Sequence, residues 1–579
     1  MSESAKEFCY AASNIMTNSP GKSVDTDSMD VVYAYHDRTK HQPQRYARAP
    51  GYMDWANQPD PFRYYDQASL FSLDQPSITD SPGYDSLFKT GQGSVVPINP
   101  QSISHLFFES LAISAWKQAG GNRWSLRVNP SSGNLHPTEA YLIAGPIRGL
   151  SDVAAVWHYC VYRHALERRL VLTSEEWTAI SQYLPSASVL VALASIHWRE
   201  SWKYGERAFR YCQHDAGHAV AAVSIAAALL NWDTRLVGTV TDDELAMLLG
   251  IHQQQGHEAE HPDCLLVISA AAGDSLRDDP VIKLSTPPLG RLKTGKFDGH
   301  PNTLSSTHHE WPIIEAVAQA CRYDGNPVPG HNHESRGEAV PAAELTEDRQ
   351  IPARRIIRER RSAVAMDGHS HIDGEIFYRM MMHITPCPDN KIIKVLPWRA
   401  KISVVAFLHR VHGLSPGLYL LVRDPFHEPS LRKTLRPEFR WSRPADCPES
   451  LPLYQLLETD VRDTARMICC HQDIASDGAF ALAMLAEFDA SLEQYGASFY
   501  PRLFWETGLI GQILYLEAEA AAIRATGIGC FFDDVMHEVL GIHDHAWQSL
   551  YHFTVGKPVD DPRLQTLPPY GHLQGFIED

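Results

Sequence analysis

The run NPSSGNLHP at residues 129–137 carries side chains that could hold a ring with a polar edge. Pro130 fixes φ and Gly133 allows a positive φ, so the run is predicted to be a turn. Short donors and acceptors stand close to its backbone at Ser131, Ser132 and Asn134. Such a loop can hold a heteroaromatic ring, and the same residue types are also typical of a helix N-cap.

Two basic clusters could bind a phosphate group. Arg360, Arg361 and Ser362 stand in the run RERRS, and Lys557 and Arg563 lie near the C-terminus. A phosphate dianion inside a protein needs several charge-assisted donors, and the planar guanidinium of arginine offers two at once. The alternative is that RERRS forms the solvated basic face of a helix.

The segment Gly527-Ile528-Gly529 could bring backbone N–H groups against a ligand, because glycine has no side chain to block the approach. The alternative is a tight turn before a helix that Asp533 caps. Asp242 is predicted to be a helix cap in the same way.

The cysteines and histidines indicate neither disulfides nor a metal site. Ten cysteines without a CxxC pair are typical of reduced thiols in a cytosolic protein. Cys469 and Cys470 are adjacent in an apolar stretch, which favours packing over a redox pair. Histidine clusters at 308–309, 331–333 and 369–371 lack the spacing of helical metal ligands, so we predict solvated loops.

The bulk composition describes a globular protein of two or more domains. A chain of 579 residues is too long for one core, and its net charge of -18 argues against nucleic-acid binding. The start of the chain has no basic segment followed by an apolar one, so we expect no signal peptide. The longest apolar run, residues 219–230, is too short to cross a bilayer.

Apolar periodicity predicts a mixture of helices and strands. Predicted helices cover residues 102–118, 207–232, 242–249 and 351–362. Predicted strands cover residues 140–145, 156–162, 189–196 and 264–271. Residues 1–30 are predicted to be an irregular arm, and residues 31–75 an extended segment laid over a surface. A Pro/Gly-rich linker at 323–350 separates two predicted domains, 31–322 and 351–579.

The two domains repeat one another. Aligning Tyr204 with Tyr495 gives a gapless match of some fifty residues, in which several glycines and aspartates coincide. The matched pairs include Gly217/Gly508, Gly238/Gly529, Asp242/Asp533 and the LGIH runs at 249–252 and 540–543. A second marker is the Gly-Leu-Ser run at 149–151 and 413–415. We predict two copies of one α+β domain, packed across a pseudo-two-fold interface as in a homodimer.

Each copy lacks sequence motifs that the other copy contains. The loop at 129–137 corresponds to LPWRAK at 396–401, which has no polar counterpart of the two serines and the asparagine. Only the second copy has the RERRS run and the Gly-Ile-Gly segment. A single site would therefore need residues from both copies.

These motifs resemble those of the nitroreductase superfamily of FMN enzymes. PSSGNLHP is similar to the family's Pro-Ser-Ser-x-Asn loop, Arg360-Arg361-Ser362 to its N-terminal motif, and Gly527-Ile528-Gly529 with the later Gly-Lys-Pro to its other flavin contacts. The run KYGER at 203–207 with DAGH at 215–218 looks like the SagB/ThcOx branch, the peptide azoline dehydrogenases. The overall pattern is similar to tandem nitroreductase-like proteins, with an antiparallel-rich sheet in each half.

The resemblance implies one FMN between the halves. Arg360, Arg361, Ser362, Lys557 and Arg563 would hold the phosphate. The other implied contacts are Gly527, Ile528 and Gly529 at the flavin N5/O4 edge, and Pro130, Ser131, Ser132 and Asn134 across the interface. The family's further cation is replaced by Val364. A mirror site pairing Arg38 and Lys40 with the loop near Trp398 is expected to be empty or decayed.

The resemblance implies that Lys203 and Tyr204 are the catalytic pair, taking a proton while hydride passes to FMN. The substrate would be a peptide or a small heterocycle. Two alternatives are a nitro or quinone reductase using NAD(P)H, and a scaffold without catalysis whose flavin site has decayed. A cytoplasmic monomer, itself a pseudo-dimer, is expected to act without nucleic acid or membrane.

Overall fold

The computed structural model describes residues 24–78, 81–89, 93–271, 287–293, 295–325 and 350–574. In the first half the helices are α1 (Val24–Arg38), α2 (Pro100–Phe108), α3 (Ser174–Ser181), α4 (His197–Tyr204), α5 (Ala208–Leu229), α6 (Asp242–Leu249) and α7 (Pro312–Ala320). Its strands are β1 (Tyr65–Asp66), β2 (Ser69–Ser72), β3 (Ile113–Ala119), β4 (Asn122–Arg127), β5 (Thr138–Ala144), β6 (Ala155–Cys160), β7 (Ala165–Val171), β8 (Ser188–Ser195), β9 (Asp233–Leu236), β10 (His261–Ser269) and β11 (His300–Pro301).

The second half continues the same alternation. Its helices are α8 (Ala353–Glu359), α9 (Gly374–His383), α10 (Glu428–Thr434), α11 (Arg462–Ile468), α12 (Ile474–Asp477), α13 (Asp489–Tyr495), α14 (Tyr500–Ala520) and α15 (Asp533–Leu540). Its strands are β12 (Ile372–Asp373), β13 (Ile402–Leu408), β14 (Val411–His412), β15 (Gly417–Leu421), β16 (Leu453–Glu458), β17 (Phe480–Glu487), β18 (Arg524–Ile528), β19 (Trp547–Gly556) and β20 (Gln565–Leu567). Among the described residues, no helix is both long and apolar enough to cross a membrane.

Each half is built on one antiparallel sheet, and the two sheets have the same strand order. The first runs β2-β7-β6-β5-β8-β10-β9 and the second β16-β15-β13-β17-β19-β18. Read from β9 and from β18, six strands correspond one to one, and β2 is an addition to the first. The predicted α+β fold in two copies is confirmed.

The long helices α5 and α14 meet at the pseudo-two-fold axis. They cross at Gly217 and Gly508, the two glycines that the internal repeat aligns. A Cβ atom at Gly217 would collide with the backbone carbonyl of Trp505, and one at Gly508 with the carbonyl of His214. Both helices are buried along almost their whole length. Glycine is therefore required at the crossing because the two backbones touch there.

Segments outside the sheets tie the halves together. The C-terminal strand β20 pairs antiparallel with β3 of the first half. The backbone of His41 exchanges hydrogen bonds with Asp533, and that of Tyr323 does the same with Asp242. These two contacts occupy corresponding positions in the two copies, so the symmetry extends beyond the sheets.

Most predicted elements are present, and three local predictions are wrong. The strands predicted from 140, 156, 189 and 264 and the helices predicted from 207, 242 and 351 are all found within a few residues. The predicted helix 102–118 ends at Phe108, and β3 follows it. The partner strands β4 and β20 outweigh the local periodicity there. Residues 24–38 form α1, so the end of the predicted arm and the start of the predicted extended segment are wrong, and residues 1–23 lie outside the described residues. Most of the predicted linker, 326–349, lies outside the described residues.

The two aspartates predicted as helix caps have other roles. The N-cap of α6 is Thr241, whose side chain accepts from the N–H of Glu244, and Asp242 is the first helical residue. Asp533 likewise lies inside α15 and is fully buried. Its carboxylate accepts hydrogen bonds from the guanidinium groups of Arg207 and Arg210, so it anchors the first half to the second.

Candidate active site

A cavity of about 760 Å³ lies between the two halves. The first half contributes the loop at 129–134 with its neighbours on β3, β4, α4 and α5, and the second half contributes the RERRS run, β18 and the C-terminal segment. Its lining includes the predicted residues Pro130, Ser131, Ser132, Asn134, Tyr204, Arg360, Arg361, Ser362, Gly527, Ile528 and Gly529. Its size is in the range of ligand pockets for organic cofactors.

The loop at 131–136 is held by hydrogen bonds to itself and to α5. Its central Gly133 has a φ of 58°, and no side-chain cap bond forms at Ser131. The Ser131 hydroxyl accepts from the N–H of His136. The Asn134 side chain donates to the Ser125 carbonyl and contacts the imidazole of His136. The helix-cap interpretation of this loop is therefore wrong, because its polar groups fix a rigid turn at the cavity.

Asp215 on α5 holds this loop in place through hydrogen bonds. The backbone N–H and the hydroxyl of Ser132 donate to its carboxylate, with N–H distances of 3.1 and 3.2 Å to the two oxygens and a hydroxyl distance of 3.0 Å. Burial raises the pKa of Asp215 to about 7, although the hydrogen bonds of the two serines act in the opposite direction. The cavity thus has a buried carboxyl group on its wall that titrates near neutral pH.

Four cationic side chains converge at the other end of the cavity: Arg360, Arg361, Arg524 and Lys117. Arg360 is buried, and it donates to the carbonyl groups of Arg127 and Val128, while its Nη1 has no hydrogen-bond partner. Burial lowers the pKa of Arg360 and lowers that of Arg361 to about 10. Burial and the nearby Arg361 and Arg524 also lower the pKa of Lys117.

The charge of Glu519 acts in the opposite direction on Arg360 and Arg361, but burial and the other cations outweigh it, so the pKa values of both arginines stay lowered. Arg524 contacts Asp560 at 3.5 Å, but the Asp560 side chain is 80% exposed, so solvent screens this ion pair. The guanidinium of Arg361 donates to backbone carbonyls alone among the contacts described. An anion at this end of the cavity would remove the mutual repulsion of the cations.

Two predicted phosphate ligands lie away from this cluster. Arg563 has a side chain that is 84% exposed and is paired with Asp561. Lys557 is exposed and does not line the cavity, and its carbonyl accepts from the N–H of Asp367. Arg524 and Lys117, which were not predicted, do line the cavity. The Lys557 and Arg563 side chains are exposed, although residues 558–561 and Leu564 line the cavity.

The Gly-Ile-Gly segment forms the end of β18 and the turn after it. The Gly527 N–H donates to the Tyr515 hydroxyl, which also accepts from Ser362. A Cβ atom at Gly529 would collide with the ring of Tyr211. Because the turn is packed this closely, its backbone forms the cavity wall.

Lys203 and Tyr204 end α4 beside the loop. A Cβ atom on Gly133 would lie 2.6 Å from the Tyr204 hydroxyl and 3.0 Å from the Lys203 Nζ. Burial, reinforced by the nearby Glu200, raises the pKa of Tyr204 well above its ordinary value. Tyr204 lines the cavity as a neutral phenol and Lys203 stands behind it, with its Nζ 5.2 Å from the centre of the tyrosine ring.

The equivalent position in the other copy is filled by protein. Glu506 corresponds to Asp215, and its carboxylate accepts from the Trp398 indole, the N–H groups of Lys401 and Ile402, and the Arg423 guanidinium. Trp398 itself is buried. The loop at 396–401 therefore packs directly against α14, whereas its counterpart at 131–134 lines a cavity.

The cations assigned to the mirror site have other partners. Arg38 forms a bidentate pair with Glu206, and Lys40 contacts Asp37 and Asp534. Both cations are thus engaged by carboxylates of the protein, and the expectation of an empty or decayed mirror site stays a prediction.

Sequence reasoning missed Asp215, Arg524 and Lys117 as lining residues. Asp215 stands in the DAGH run already noted, and Arg524 precedes the Gly-Ile-Gly segment by three residues. The sequence did not indicate Lys117 as a lining residue, because the predicted helix 102–118 included it. On a strand beside β20, its Nζ donates to Thr566 at the edge of the cavity.

Metal ligands are not part of this cavity. Within the described chain, two groups of three side chains could hold an ion: His197, His261 and Glu315, and Asp85, His383 and Glu517. In the first group the two imidazole rings stack with their centres 4.1 Å apart. The histidine cluster at 331–333 lies outside the described residues.

The sequence was compared with known families and proteins. The profile of the nitroreductase family matches residues 101–267 and 448–557. A nitroreductase-like protein of Methanocaldococcus jannaschii, MJ1384, is 25% identical over 163 residues, which is 27% of this chain and 77% of that protein.

Solved structures show the same fold. The crystal structure of a nitroreductase-like protein from Anabaena variabilis aligns with a TM-score of 0.64 at 20% identity, covering 91% of this chain and 99% of that one. A chain of the E. coli microcin synthetase McbBCD complex, solved with truncated pro-MccB17, aligns over 43% of this chain and 95% of that one. That alignment has 15% identity and a TM-score of 0.24, too low to relate the folds in detail. Each half of the chain thus matches the nitroreductase family, a family of oxidoreductases, over part of its length, and the duplicated sheet gives both halves the same fold.

Proposed function

We propose that the cavity between the halves binds one FMN and that the protein transfers hydride between this cofactor and a small-molecule or peptide substrate. The observation that carries the proposal is the group of four cations at one end of a cavity built by both halves. A flavin mononucleotide has a phosphate dianion at one end and a ring with a polar edge at the other. Its two ends match the two ends of the cavity.

The cationic end fits a phosphate group. Arg360 has an Nη1 without a hydrogen-bond partner. Burial and the charges of Arg360 and Arg524 lower the pKa of Arg361, and burial and the charges of Arg361 and Arg524 lower that of Lys117. A phosphate would accept charge-assisted hydrogen bonds from these groups. Ser362, whose hydroxyl contacts Tyr515, adds a neutral donor beside them.

The opposite end fits a flat ring. The loop at 130–134 forms one wall and the Gly527–Gly529 backbone another. Both are fixed by hydrogen bonds or close packing before any ligand binds, which lowers the entropic cost of binding. The polar side chains of Asn134 and Ser131 already have partners within the loop, so we assign them a shaping role and leave backbone groups to contact the ring.

When bound, the flavin would supply hydride transfer, and the protein would supply the proton. The raised pKa of Tyr204 keeps its phenol protonated at neutral pH, so Tyr204 can donate a proton to a substrate that accepts hydride. Lys203 then favours the phenolate that forms, because its ammonium group lies behind the ring. This protonation state favours the reductive direction, with a nicotinamide such as NAD(P)H as the source of hydride.

The dehydrogenation of a peptide azoline is the second candidate. The KYGER and DAGH runs support it, and a Lys203 amine would then act as the base. A third possibility, a scaffold without a cofactor, is decided by flavin content. A visible absorbance spectrum of the purified chain should give about one FMN per chain. No flavin after soaking with FMN would refute the proposal, and two per chain would refute the single site.

The phosphate assignment is tested with two arginine variants. Arg524→Gln removes a cation of the cavity and should weaken FMN binding by about 10- to 100-fold, because a charge-assisted hydrogen bond contributes about 1.5–3 kcal/mol. Arg563→Gln is the matched control, since this arginine is exposed and paired with Asp561. Flavin fluorescence titrations would measure both. Equal losses in the two variants, or a loss only in Arg563→Gln, would contradict the assignment.

The role of Tyr204 is tested by Tyr204→Phe, which removes only the hydroxyl. The variant should keep its flavin content and lose about 100-fold or more in kcat for reduction of a quinone or nitroaromatic substrate. Single-turnover reduction of the bound flavin by NAD(P)H should be unchanged, since that step needs no proton from the tyrosine. A variant with full turnover would show that the phenol is not the proton donor.

A further inference from the structure

Two cysteines from different loops of the second half meet at the cavity wall. Cys530 follows the Gly527–Gly529 turn directly and lines the cavity. Cys470 lies two residues after the end of α11, and its Sγ is 2.8 Å from the Sγ of Cys530. The two residues are sixty positions apart in sequence, and both are partly exposed.

The structure thus pairs Cys470 with Cys530 and not with its neighbour in sequence. Cys469 is buried, and its Sγ lies 3.6 Å from the imidazole of His552. The prediction that Cys469 is a packing residue agrees with this position, but the stretch is not helical at Cys470. The φ of Cys470 is 54° and that of His471 is 60°, so the backbone turns the Cys470 thiol away from its neighbour and toward Cys530.

The surroundings favour a thiolate at Cys530. The thiol of Cys470 and the ring of His41 hydrogen-bond to it, and the Arg207 guanidinium adds a positive charge, so the pKa of Cys530 is lowered. His41 accepts the N–H of Ala47 at Nδ1, which places the proton of its neutral ring on Nε2, the nitrogen free to donate. The pKa of Cys470 is raised in turn, because its proton is shared with Cys530.

We propose that Cys470 and Cys530 are a redox-active dithiol that exchanges with small-molecule disulfides entering the cavity. The Cys530 thiolate attacks one sulfur of the disulfide, whose S–S bond breaks and releases one thiol after protonation. Cys470 then gives up its proton and attacks the Cys530 sulfur of the mixed disulfide, which releases the second thiol. The protein loses two hydrogens and forms one S–S bond, and the small disulfide is reduced to two thiols.

The attacking and resolving roles follow from the geometry. Cys530 faces the cavity and is the sulfur that a ligand reaches, and Cys470 lies behind it. A nucleophilic cysteine in a positively charged and partly exposed setting is the reactive one, as for other thiolates. Cys447, also partly exposed, provides the contrast, because burial raises its pKa to about 11. The inference does not rest on a bound flavin, and its test can be run with or without one.

The first experiment uses mass spectrometry to identify which thiols have formed disulfides. The full-length protein is equilibrated with oxidised glutathione, and its peptides are mapped after alkylation. We expect a peptide cross-linked through Cys470 and Cys530, with Cys447 left free. Failure to form this cross-link under oxidising conditions that modify Cys447 would overturn the proposal.

The second experiment separates the roles of the two cysteines. Cys470→Ser should trap a stable glutathione adduct on Cys530, because the resolving thiol is gone. Cys530→Ser should leave Cys470 at least about tenfold slower to react than Cys530 in the first variant. Cys447→Ser is the control and should behave as the parent protein. If Cys530 and Cys447 react equally fast in the folded protein and show the same pH dependence, the pair is not an exchange site.

Discussion

Asp215 makes the stability of this protein depend on pH in a direction opposite to that of most carboxylates. Its pKa is about 7 in the folded chain against the ordinary 3.8, because burial disfavours the charged form. Between those two values the native state binds a proton that the unfolded state has lost. By linkage, the free energy of unfolding then falls as pH rises from about 4 to about 7.

The size of this effect follows from the shift. Each unit of pKa difference corresponds to about 1.4 kcal/mol, so the shift of Asp215 lowers the stability at pH 8 by roughly 4 kcal/mol relative to pH 4. The substitution Asp215→Asn removes the titration and keeps an oxygen that can accept the N–H of Ser132. The variant should therefore gain stability over the parent as pH rises, with the difference levelling off above about pH 8.

The assay is urea unfolding of parent and variant at a series of pH values and at fixed flavin occupancy. Taking the difference between the two proteins cancels the titrations of other buried groups, such as Asp263, whose pKa is also raised to about 7 by burial. Asp152→Asn, at an exposed position, is the control for the substitution itself. A flat difference for Asp215→Asn, or one that falls with pH, would refute this reasoning.

Two further predictions concern the interface between the halves. Gly508→Ala should destabilise the protein by about 1–3 kcal/mol, because the added Cβ meets the backbone of α5, whereas Gly121→Ala, at a position with open space, should be nearly neutral in the same urea assay. Unchanged unfolding of Gly508→Ala would mean that the helices do not cross there. Asp533→Asn should cost about 3–5 kcal/mol, since it leaves two buried guanidinium groups without their counter-charge. Asp534→Asn, at a partly exposed position, should cost much less by thermal unfolding, and equal effects of the two variants would contradict the importance of the buried pairs.

The sequence predicted the duplication well because repetition is a local property that can be read by aligning the chain with itself. The matched glycines at 217 and 508 proved to be the point where the central helices cross, and the paired Gly-Leu-Ser runs lie in the corresponding hairpins before β6 and β15. The same comparison showed that each copy lacks some of the motifs of the other, and residues of both copies line the cavity.

Local periodicity failed where a distant strand decides the conformation. Residues 113–119 have a helical pattern of apolar positions, yet they form β3 because β4 and the C-terminal β20 offer hydrogen-bond partners on both sides. Lys117 consequently faces the cavity, which no reading of the local sequence could show.

What the sequence by itself determined is the α+β class, the two copies and the types of residue available for a phosphate and a ring. Only the tertiary structure decided which charges meet. Arg524, which was not predicted, lines the cavity, and the predicted Arg563 is exposed to solvent. Asp215 and Glu506 correspond in the repeat, but Asp215 accepts hydrogen bonds from Ser132 beside a cavity, and Glu506 is paired with Arg423. Electrostatic energy depends on distance and burial in space, and these are fixed only once the chain has folded.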